Sequence, residues 1–149
     1  MNEIAFQAVG IIGRIACRGT LDVSGYNIFT ELGDLSRVDL IALVDQEPVK
    51  IQVKTRNLKD GKIVVDSRKS GPGYLYRYQP GDVDVFAIYV PEVDLVLFLS
   101  IDFVLKAKGA TAIRIVQAKN NQRDGIHWFE DYLDFKRALR DHTQSTRTG

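Results

Sequence analysis

Residues 36–55 read SRVDLIALVDQEPVKIQVKT, and the fold of the chain is organised around them. Residues 40–44 are all apolar, residues 45–48 form a polar, proline-containing turn, and residues 49–54 alternate between apolar and polar side chains. Alternation with a period of two is typical of a half-buried β-strand. The stretch therefore predicts two antiparallel strands joined by a tight turn.

The second predicted strand carries polar side chains on one face. Gln52 and Lys54 point the same way because residues two apart on a strand share a face. Asp39, at the start of the first strand, lies near the end of the second if the two pair antiparallel. An acid, an amide and an amine are thus expected to converge on one sheet edge. Spacing alone favours a simpler interpretation, in which these residues form an ordinary solvated strand face.

Length and composition limit the class of protein. The chain has 149 residues, 45% of them hydrophobic and 26% charged, which is ordinary for one globular domain with a real core. The net charge of +1 gives no global sign of nucleic-acid binding. The single cysteine excludes an internal disulfide and a cysteine-based zinc site. Neither a membrane-length apolar run nor a secretory signal is visible, so we expect a cytoplasmic protein without a membrane partner.

The rest of the chain predicts one α/β (α+β) domain over residues 1–141, with a mixed, mostly antiparallel sheet flanked by helices. Residues 142–149 are predicted to be a disordered tail, and residues 66–81 and 117–125 polar loops. Three glycines interrupt the first helix, where a glycine most often lets another backbone approach closely. The predicted elements are a helix from Glu3 to about Gly25, strands at 26–30, 62–65 (a third hairpin strand), 83–90, 95–99 and 112–116, a short helix at 100–108 capped by Ser100, and a helix at 126–140.

The polar residues of the hairpin suit phosphodiester cleavage. That reaction needs a divalent cation, an activated water, and positive charge on the phosphate. Magnesium prefers oxygen ligands. Asp39 can supply a carboxylate, Gln52 an amide oxygen, and Val53 its backbone carbonyl. Lys54 projects from the same face as Gln52, so its amine can contact the attacking water or the phosphate.

Asp39, a turn, and then Gln52-Val53-Lys54 resemble the motif of the PD-(D/E)XK nucleases, in the variant with glutamine as the middle ligand. The neighbouring sequence resembles a branch that includes a group I intron-encoded homing endonuclease, and the resemblance runs from Gly10 to Tyr132. The segments that carry it are 38–42, 51–55, 83–89, 113–115, 120–122, 126–128 and 131–132.

The resemblance implies a restriction-endonuclease-like core and a metal-dependent, site-specific double-strand DNA endonuclease, of the intron-homing type, using Mg²⁺ or Mn²⁺. It assigns the metal-binding acid to Asp39, the second ligand to Gln52 and the catalytic lysine to Lys54. It also implies a homo-oligomer, a dimer or a tetramer, because two copies are needed to cut both strands. Residues 83–90 and 95–99 are candidates for its interface, although such strands are more often core.

One position departs from the family. The first helix of the family carries a glutamate in a Gly-x-x-Gly-Glu setting, and here Gly10 and Gly13 match but the glutamate position holds Arg14. Three interpretations stay open beside that of a plain surface residue. Arg14 holds a phosphate, or it inactivates the site, or Glu31 has taken over the role of the acid. Since Arg14 is positive and Gln52 neutral, weak metal binding is expected without DNA.

A basic segment follows the hairpin and predicts contact with double-stranded DNA. Six basic side chains stand there against two acidic ones, with tyrosines between them. The simpler alternatives are a solvated loop with an edge strand, and a polar capping loop further along the chain. A catalytically impaired DNA-binding protein and a junction or repair nuclease also stay open. The predicted DNA-contacting residues are Arg56, Lys59, Lys62, Arg68, Lys69, Tyr74, Tyr76, Arg77, Asn120, Asn121 and Gln122.

Overall fold

The computed structural model describes residues 3–33, 35–71, 73–107, 109–120 and 124–147. Two short 3₁₀ helices, Pro91–Val93 and Phe129–Tyr132, separate some of the longer elements. The helices and strands are α1 (Glu3–Val23), β1 (Asn27–Thr30), β2 (Leu40–Val44), β3 (Glu47–Thr55), β4 (Lys62–Asp66), β5 (Arg68–Gly71), β6 (Tyr74–Arg77), β7 (Val85–Val90), β8 (Leu95–Ser100), α2 (Ile101–Lys106), β9 (Ala110–Arg114), β10 (His127–Trp128) and α3 (Phe135–Arg147).

The predicted central hairpin is confirmed. Strands β2 and β3 pair antiparallel, with Leu40 opposite Ile51. The turn is shorter than the predicted 45–48, because Glu47 already pairs with Val44. Asp45 and Gln46 form it with φ values of 51° and 68°. Two successive residues with positive φ give the two-residue turn that matches the twist of a hairpin.

The hairpin belongs to a five-stranded sheet in the order β1-β2-β3-β7-β8. Strands β3 and β7 pair in parallel, and the other neighbours pair antiparallel. The predicted mixed, mostly antiparallel sheet is therefore confirmed. The parallel register places Gln52 beside Phe86 and Lys54 beside Ile88.

Each face of this sheet packs on its own hydrophobic core. Helices α1 and α3 cover one face through side chains such as Leu21 and Phe135. Strands β4 and β9, with α2, cover the other face through Ile63, Ile113 and Val104. Strand β7 is buried along its whole length and β8 nearly so. The suggestion that these two strands form an oligomer interface is therefore wrong, because they lie in the core.

Two predictions for residues 62–81 are corrected. Strand β4 does not extend the hairpin but pairs antiparallel with β9 in a second sheet, ordered β10-β9-β4. Residues 66–81 are not a plain loop, because β5 and β6 form a second hairpin within them. The sequence did not predict this hairpin because its strands lack the alternation of a half-buried strand. Tyr74 and Leu75 of β6 are both more than half exposed.

The C-terminal prediction is corrected as well. A helix was expected over 126–140, but residues 127–132 form β10 and a 3₁₀ helix, and α3 begins only at Phe135. Residues 142–147, expected to be a tail, continue α3. His142 lies between two acids there, with Nδ1 2.6 Å from Asp102 and Nε2 3.1 Å from Asp84. These contacts tie α3 to α2 and to the start of β7.

Among the described residues, no helix combines the length and apolarity needed to cross a bilayer.

Helix α1 packs closely against the end of β3 at Gly13. A Cβ atom built there would lie 2.4 Å from the Thr55 hydroxyl oxygen, whereas at Gly10 or Gly19 it would meet nothing within 4 Å. Of the three glycines in α1, only Gly13 therefore permits a close approach. The approach places the next residue, Arg14, over the end of the hairpin.

Substitution of Gly13 and Gly10 should separate packing from helix propensity. We expect Gly13→Ala to destabilise the protein by about 1–3 kcal/mol, because the methyl group overlaps Thr55. Gly10→Ala should stabilise it by about 0.5–1 kcal/mol through helix propensity alone. Urea unfolding of the two variants measures both effects, and equal stabilisation by the two would contradict the close approach.

Candidate active site

The centre of the site is a buried carboxylate held by the neighbouring strand. Asp39 is 8% exposed and lies just before β2, where its backbone N–H donates to the Ile51 carbonyl at 2.9 Å. Its Oδ2 accepts hydrogen bonds from Gln52 Nε2 at 2.5 Å and from the Val53 N–H at 2.8 Å. Asp39 and Gln52 therefore meet as predicted.

The Gln52 amide is the part of the site that fits a metal ion. Its Nε2 also donates to the Val53 carbonyl at 3.1 Å, while its buried Oε1 has no hydrogen-bond partner among the described residues. Half a turn of the amide would bring Oε1 beside Asp39 Oδ2 and the Val53 carbonyl oxygen. Three oxygens in that position repel one another unless a cation lies between them. A hard divalent ion takes ligands of this kind, so Asp39, Gln52 and Val53 fit Mg²⁺ or Mn²⁺.

The surroundings of Asp39 act on its charge in opposite directions. Burial raises the pKa of Asp39 above its ordinary value, while the Val53 N–H and the Arg14 guanidinium pull it back. A carboxylate that is costly to ionise gains from a nearby positive charge.

Arg14 supplies such a charge from α1. Its Nη1 lies 3.4 Å from Asp39 Oδ1, and its side chain is 34% exposed. Arg14 is thus part of the site and not a plain surface residue. A cleft of about 400 Å³ opens here and is lined by Arg14, Asp39 and Glu31, among others. Glu31 accepts a hydrogen bond from the Ser36 N–H at 3.1 Å, and its role as a metal ligand stays a prediction.

Lys54 shares the strand face of Gln52 and is only 8% exposed. Its Nζ donates to the backbone carbonyls of Arg68, at 2.9 Å, and Asp66, at 3.2 Å. The amine is therefore held by the connection between β4 and β5. Burial, with the positive charge of Arg56 adding to it, lowers the pKa of Lys54 to about 8 from 10.5. A lysine with such a pKa can give or take a proton near neutral pH.

A tyrosine that sequence reasoning did not select lies next to Lys54. Tyr78 is 2% exposed, and its hydroxyl has no hydrogen-bond partner among the described residues. Its ring packs edge-on against Phe86, and Lys54 Nζ lies 5.2 Å from its centre. Burial, with the negative charge of Asp39 adding to it, raises the pKa of Tyr78. The sequence offers no signal that separates Tyr78 from the exposed Tyr74.

The hairpin β5–β6 carries about half of the residues predicted to contact DNA. It begins beside Lys54, and Arg68 lies opposite Arg77 across it. Tyr76 anchors it, because its hydroxyl donates to Asp82 at 2.5 Å and its ring lies 3.6 Å from the Arg37 guanidinium. Arg37, which the sequence did not single out, thus links the hairpin to the segment that carries Asp39.

The other predicted DNA-contacting residues lie apart from this hairpin. Arg56 follows β3 and donates to the Thr55 carbonyl at 2.9 Å. Lys59 and Lys62 bond each other's backbones at the turn before β4. Asn120 lies in the exposed loop after β9, while residues 121 and 122, predicted as Asn121 and Gln122 contacts, lie outside the described residues.

The burial of Lys54 should give stability a specific pH dependence. The folded protein binds fewer protons than the unfolded chain between about pH 8 and 10.5, so stability should rise with pH in that window. Lys54→Met removes this dependence. The variant also loses the two hydrogen bonds of Lys54 Nζ at every pH, so the test is the change with pH: its stability relative to that of the original chain should fall by about 1–3 kcal/mol between pH 7 and pH 10.

Urea unfolding at pH 7, 8.5 and 10 measures this difference. Lys136→Met, which removes an exposed lysine of α3, is the control for the loss of a charge. A difference between Lys54→Met and the original chain that stays constant from pH 7 to 10 would show that the amine is not buried.

Comparison with known proteins identifies the family and the fold of the chain. The sequence model of the PD-(D/E)XK endonuclease family matches residues 7–135, which include Arg14, Asp39, Gln52 and Lys54. A solved structure described as the bacterial homing endonuclease I-Ssp6803I has the same fold, with a TM-score of 0.74 over 94% of this chain and 97% of that chain, at 22% sequence identity. No curated protein matches. Because the family match spans most of the chain and its site, the protein belongs to the PD-(D/E)XK endonuclease family.

Proposed function

We propose that this chain is a metal-dependent, site-specific endonuclease that hydrolyses phosphodiester bonds in double-stranded DNA, of the intron-homing type. The observation that carries the proposal is the oxygen-rich site formed by Asp39, Gln52 and the Val53 carbonyl, with its unpartnered buried amide oxygen. The buried amine of Lys54 projects from the same strand face. The family membership and the fold of a homing endonuclease support it.

Each residue of the site has a proposed role that follows from its chemistry. Asp39, Gln52 and Val53 would hold Mg²⁺ or Mn²⁺, which, when bound, stabilises negative charge on the phosphate and lowers the pKa of water. Above about pH 8 the Lys54 amine is largely neutral and can accept a proton from the attacking water. The water oxygen bonds to phosphorus as the bond to the leaving deoxyribose oxygen breaks, and the leaving oxygen takes a proton from the solvent. The Tyr78 ring shields Lys54 from bulk water.

We propose that the hairpin β5–β6 is the element that contacts DNA in the major groove. A two-stranded ribbon fits the major groove of B-DNA, and exposed arginines such as Arg68 and Arg77 contact phosphates there. Its base reaches Lys54 through the Asp66 and Arg68 carbonyls. A ribbon seated in the groove would therefore bring the backbone of the DNA towards the site.

One observation favours a second function. Arg14 contacts the acid that would bind the metal, and a positive group there opposes metal binding. A DNA-binding protein that keeps the nuclease fold without cutting is consistent with that contact.

Cleavage of a long, sequence-diverse duplex DNA in Mg²⁺ decides between the two functions. We expect discrete fragments from the original chain and a loss of about 10²-fold or more in rate for Lys54→Ala, since proton transfer contributes that much. Lys50→Ala removes the other lysine of the same strand face, which contacts the Gly81 carbonyl, and should cut normally. Equal cutting by Lys54→Ala, or DNA binding without cutting by the original chain, would contradict the nuclease proposal.

We also propose that the chain self-associates, because each copy carries one site and a duplex has two strands. Helix α1 exposes Ile12 at 54%, outside the cleft, and Ile11 and Ile15, at the border of the cleft, at 50% and 65%, and we call these three side chains the α1 apolar face. Exposed apolar side chains in a cluster mark interaction surfaces. A second copy of the chain is the partner that two-strand cleavage requires.

Light scattering after size exclusion tests this surface. Ile12→Glu places a charge on the α1 apolar face and should reduce the particle to a smaller species or a monomer. Val64→Glu puts the same charge on β4, at a side chain that is also half exposed, and should leave the mass unchanged. A monomeric original chain, or identical masses for the two variants, would contradict the proposal.

A further inference from the structure

In this structure, hydrogen-bond donors surround the carboxylate that would bind a metal ion. Asp39 Oδ1 faces the Arg14 guanidinium, and Oδ2 faces Gln52 Nε2 and the Val53 N–H. Gln52 presents its N–H to the acid and leaves Oε1 unpartnered. The described groups that donate hydrogen bonds to the acid thus each present positive charge to it, as a cation would. A divalent ion held by Asp39 Oδ2, the turned Gln52 amide and the Val53 carbonyl would bring a second positive charge close to the Arg14 guanidinium, which opposes its binding.

Of these groups, Arg14 is the easiest to displace. Its contact of 3.4 Å is longer than the 2.7–2.9 Å typical of a charged hydrogen bond. Its side chain is 34% exposed, whereas Gln52 and Val53 belong to a buried strand. A partly exposed ion pair of this length contributes little to stability. The pair is therefore strong enough to neutralise Asp39 and weak enough to be exchanged.

The cleft provides a reason for that exchange. Arg14 and Arg18, one turn apart on α1, both line it beside Asp39. A guanidinium binds a phosphate group with two parallel hydrogen bonds, and the cleft offers two guanidinium groups beside the carboxylates of Asp39 and Glu31. A DNA phosphate entering the cleft would compete with Asp39 for Arg14.

We propose that Arg14 is an internal counter-ion that keeps the metal site closed in the free protein, and that a DNA phosphate draws it off Asp39 so that metal and DNA bind together. The inference rests on the proposed function and assigns a regulatory role to the residue that departs from the family pattern. Because coupling between two ligands is reciprocal, the metal should raise DNA affinity by the same factor as DNA raises metal affinity.

Mn²⁺ binding in the absence of DNA, followed by electron paramagnetic resonance, tests the counter-ion. Arg14→Gln should bind Mn²⁺ about tenfold or more tightly than the original chain, which is the usual size of such a coupling. Arg18→Gln is the matched control. It removes the same charge from the same cleft, but Arg18 pairs with Asp22 and not with Asp39. Adding Asp39→Asn to Arg14→Gln should abolish the gain, and circular dichroism checks that each variant is folded.

Two results would overturn the proposal. Folded Arg14→Gln that binds Mn²⁺ no more tightly than the original chain shows that Arg14 does not hold the site closed. An equal gain in Arg18→Gln shows that the effect is general charge and not the Asp39 contact. Tighter Mn²⁺ binding by Arg14→Gln with no DNA cutting by any variant has a different meaning. It supports the counter-ion and contradicts the nuclease function, so the two proposals fail separately.

DNA affinity provides a second readout. Fluorescence anisotropy with a duplex, with and without Mn²⁺, should show that the metal strengthens DNA binding more in the original chain than in Arg14→Gln. The variant keeps contact between metal and phosphate but has no counter-ion to release. An equal effect of Mn²⁺ in the two proteins would overturn the proposal.

Discussion

The Asp39 carboxylate accepts hydrogen bonds from the next strand, through the Gln52 amide and the Val53 N–H. These hydrogen bonds constrain the register in which the strands of the sheet pair. A buried acid without partners would cost several kcal/mol, so the strands must pair in a register that supplies donors. Slipping β2 by one residue would turn Asp39 and every buried side chain of the strand to the opposite face. The site and the register of the central hairpin therefore depend on each other.

Lys54 connects the five-stranded sheet to the sheet that contains β4. It starts on β3 of the first sheet and ends on the carbonyls of Asp66 and Arg68, where the chain leaves the second sheet for the hairpin β5–β6. Tyr76 and Arg37 fix the same hairpin from its other side. The buried amine thus has a structural role, since it donates hydrogen bonds to two backbone carbonyls where the chain passes from β4 to β5.

Patterns that lie within one element could be predicted from the sequence. Period-two alternation gave β3 its polar face, and Ser100 was correctly predicted to cap α2, where its hydroxyl accepts from the Phe103 N–H. Predictions failed where distant partners decide the structure. Strand β4 has the pattern of a hairpin strand, yet it pairs with β9, which lies nearly fifty residues later in the chain. Apolar residues at helical spacing predicted a helix over 126–140, but tertiary packing made β10 and a 3₁₀ turn from its first part.

The candidate site shows the same division. The contact of Asp39 with Gln52 follows from the motif, but the contact of Arg14 with Asp39 spans 25 residues and depends on how closely α1 approaches β3 at Gly13. The burial of Tyr78 could not be predicted either, because it depends on the second sheet closing over β3 and β7.

The hairpin β5–β6 also bears on how this protein can change over generations. Most of its strand pairing is internal, and Tyr74 and Leu75 near its tip are largely solvated. Replacing such side chains usually changes folding stability by less than about 0.5 kcal/mol. Mutations can therefore accumulate at the tip without compensating changes in the core. The buried strand β3, where Gln52 and Lys54 each satisfy backbone carbonyls, has no such freedom. The chain thus combines a hairpin tip whose side chains tolerate substitution with a central strand whose side chains do not.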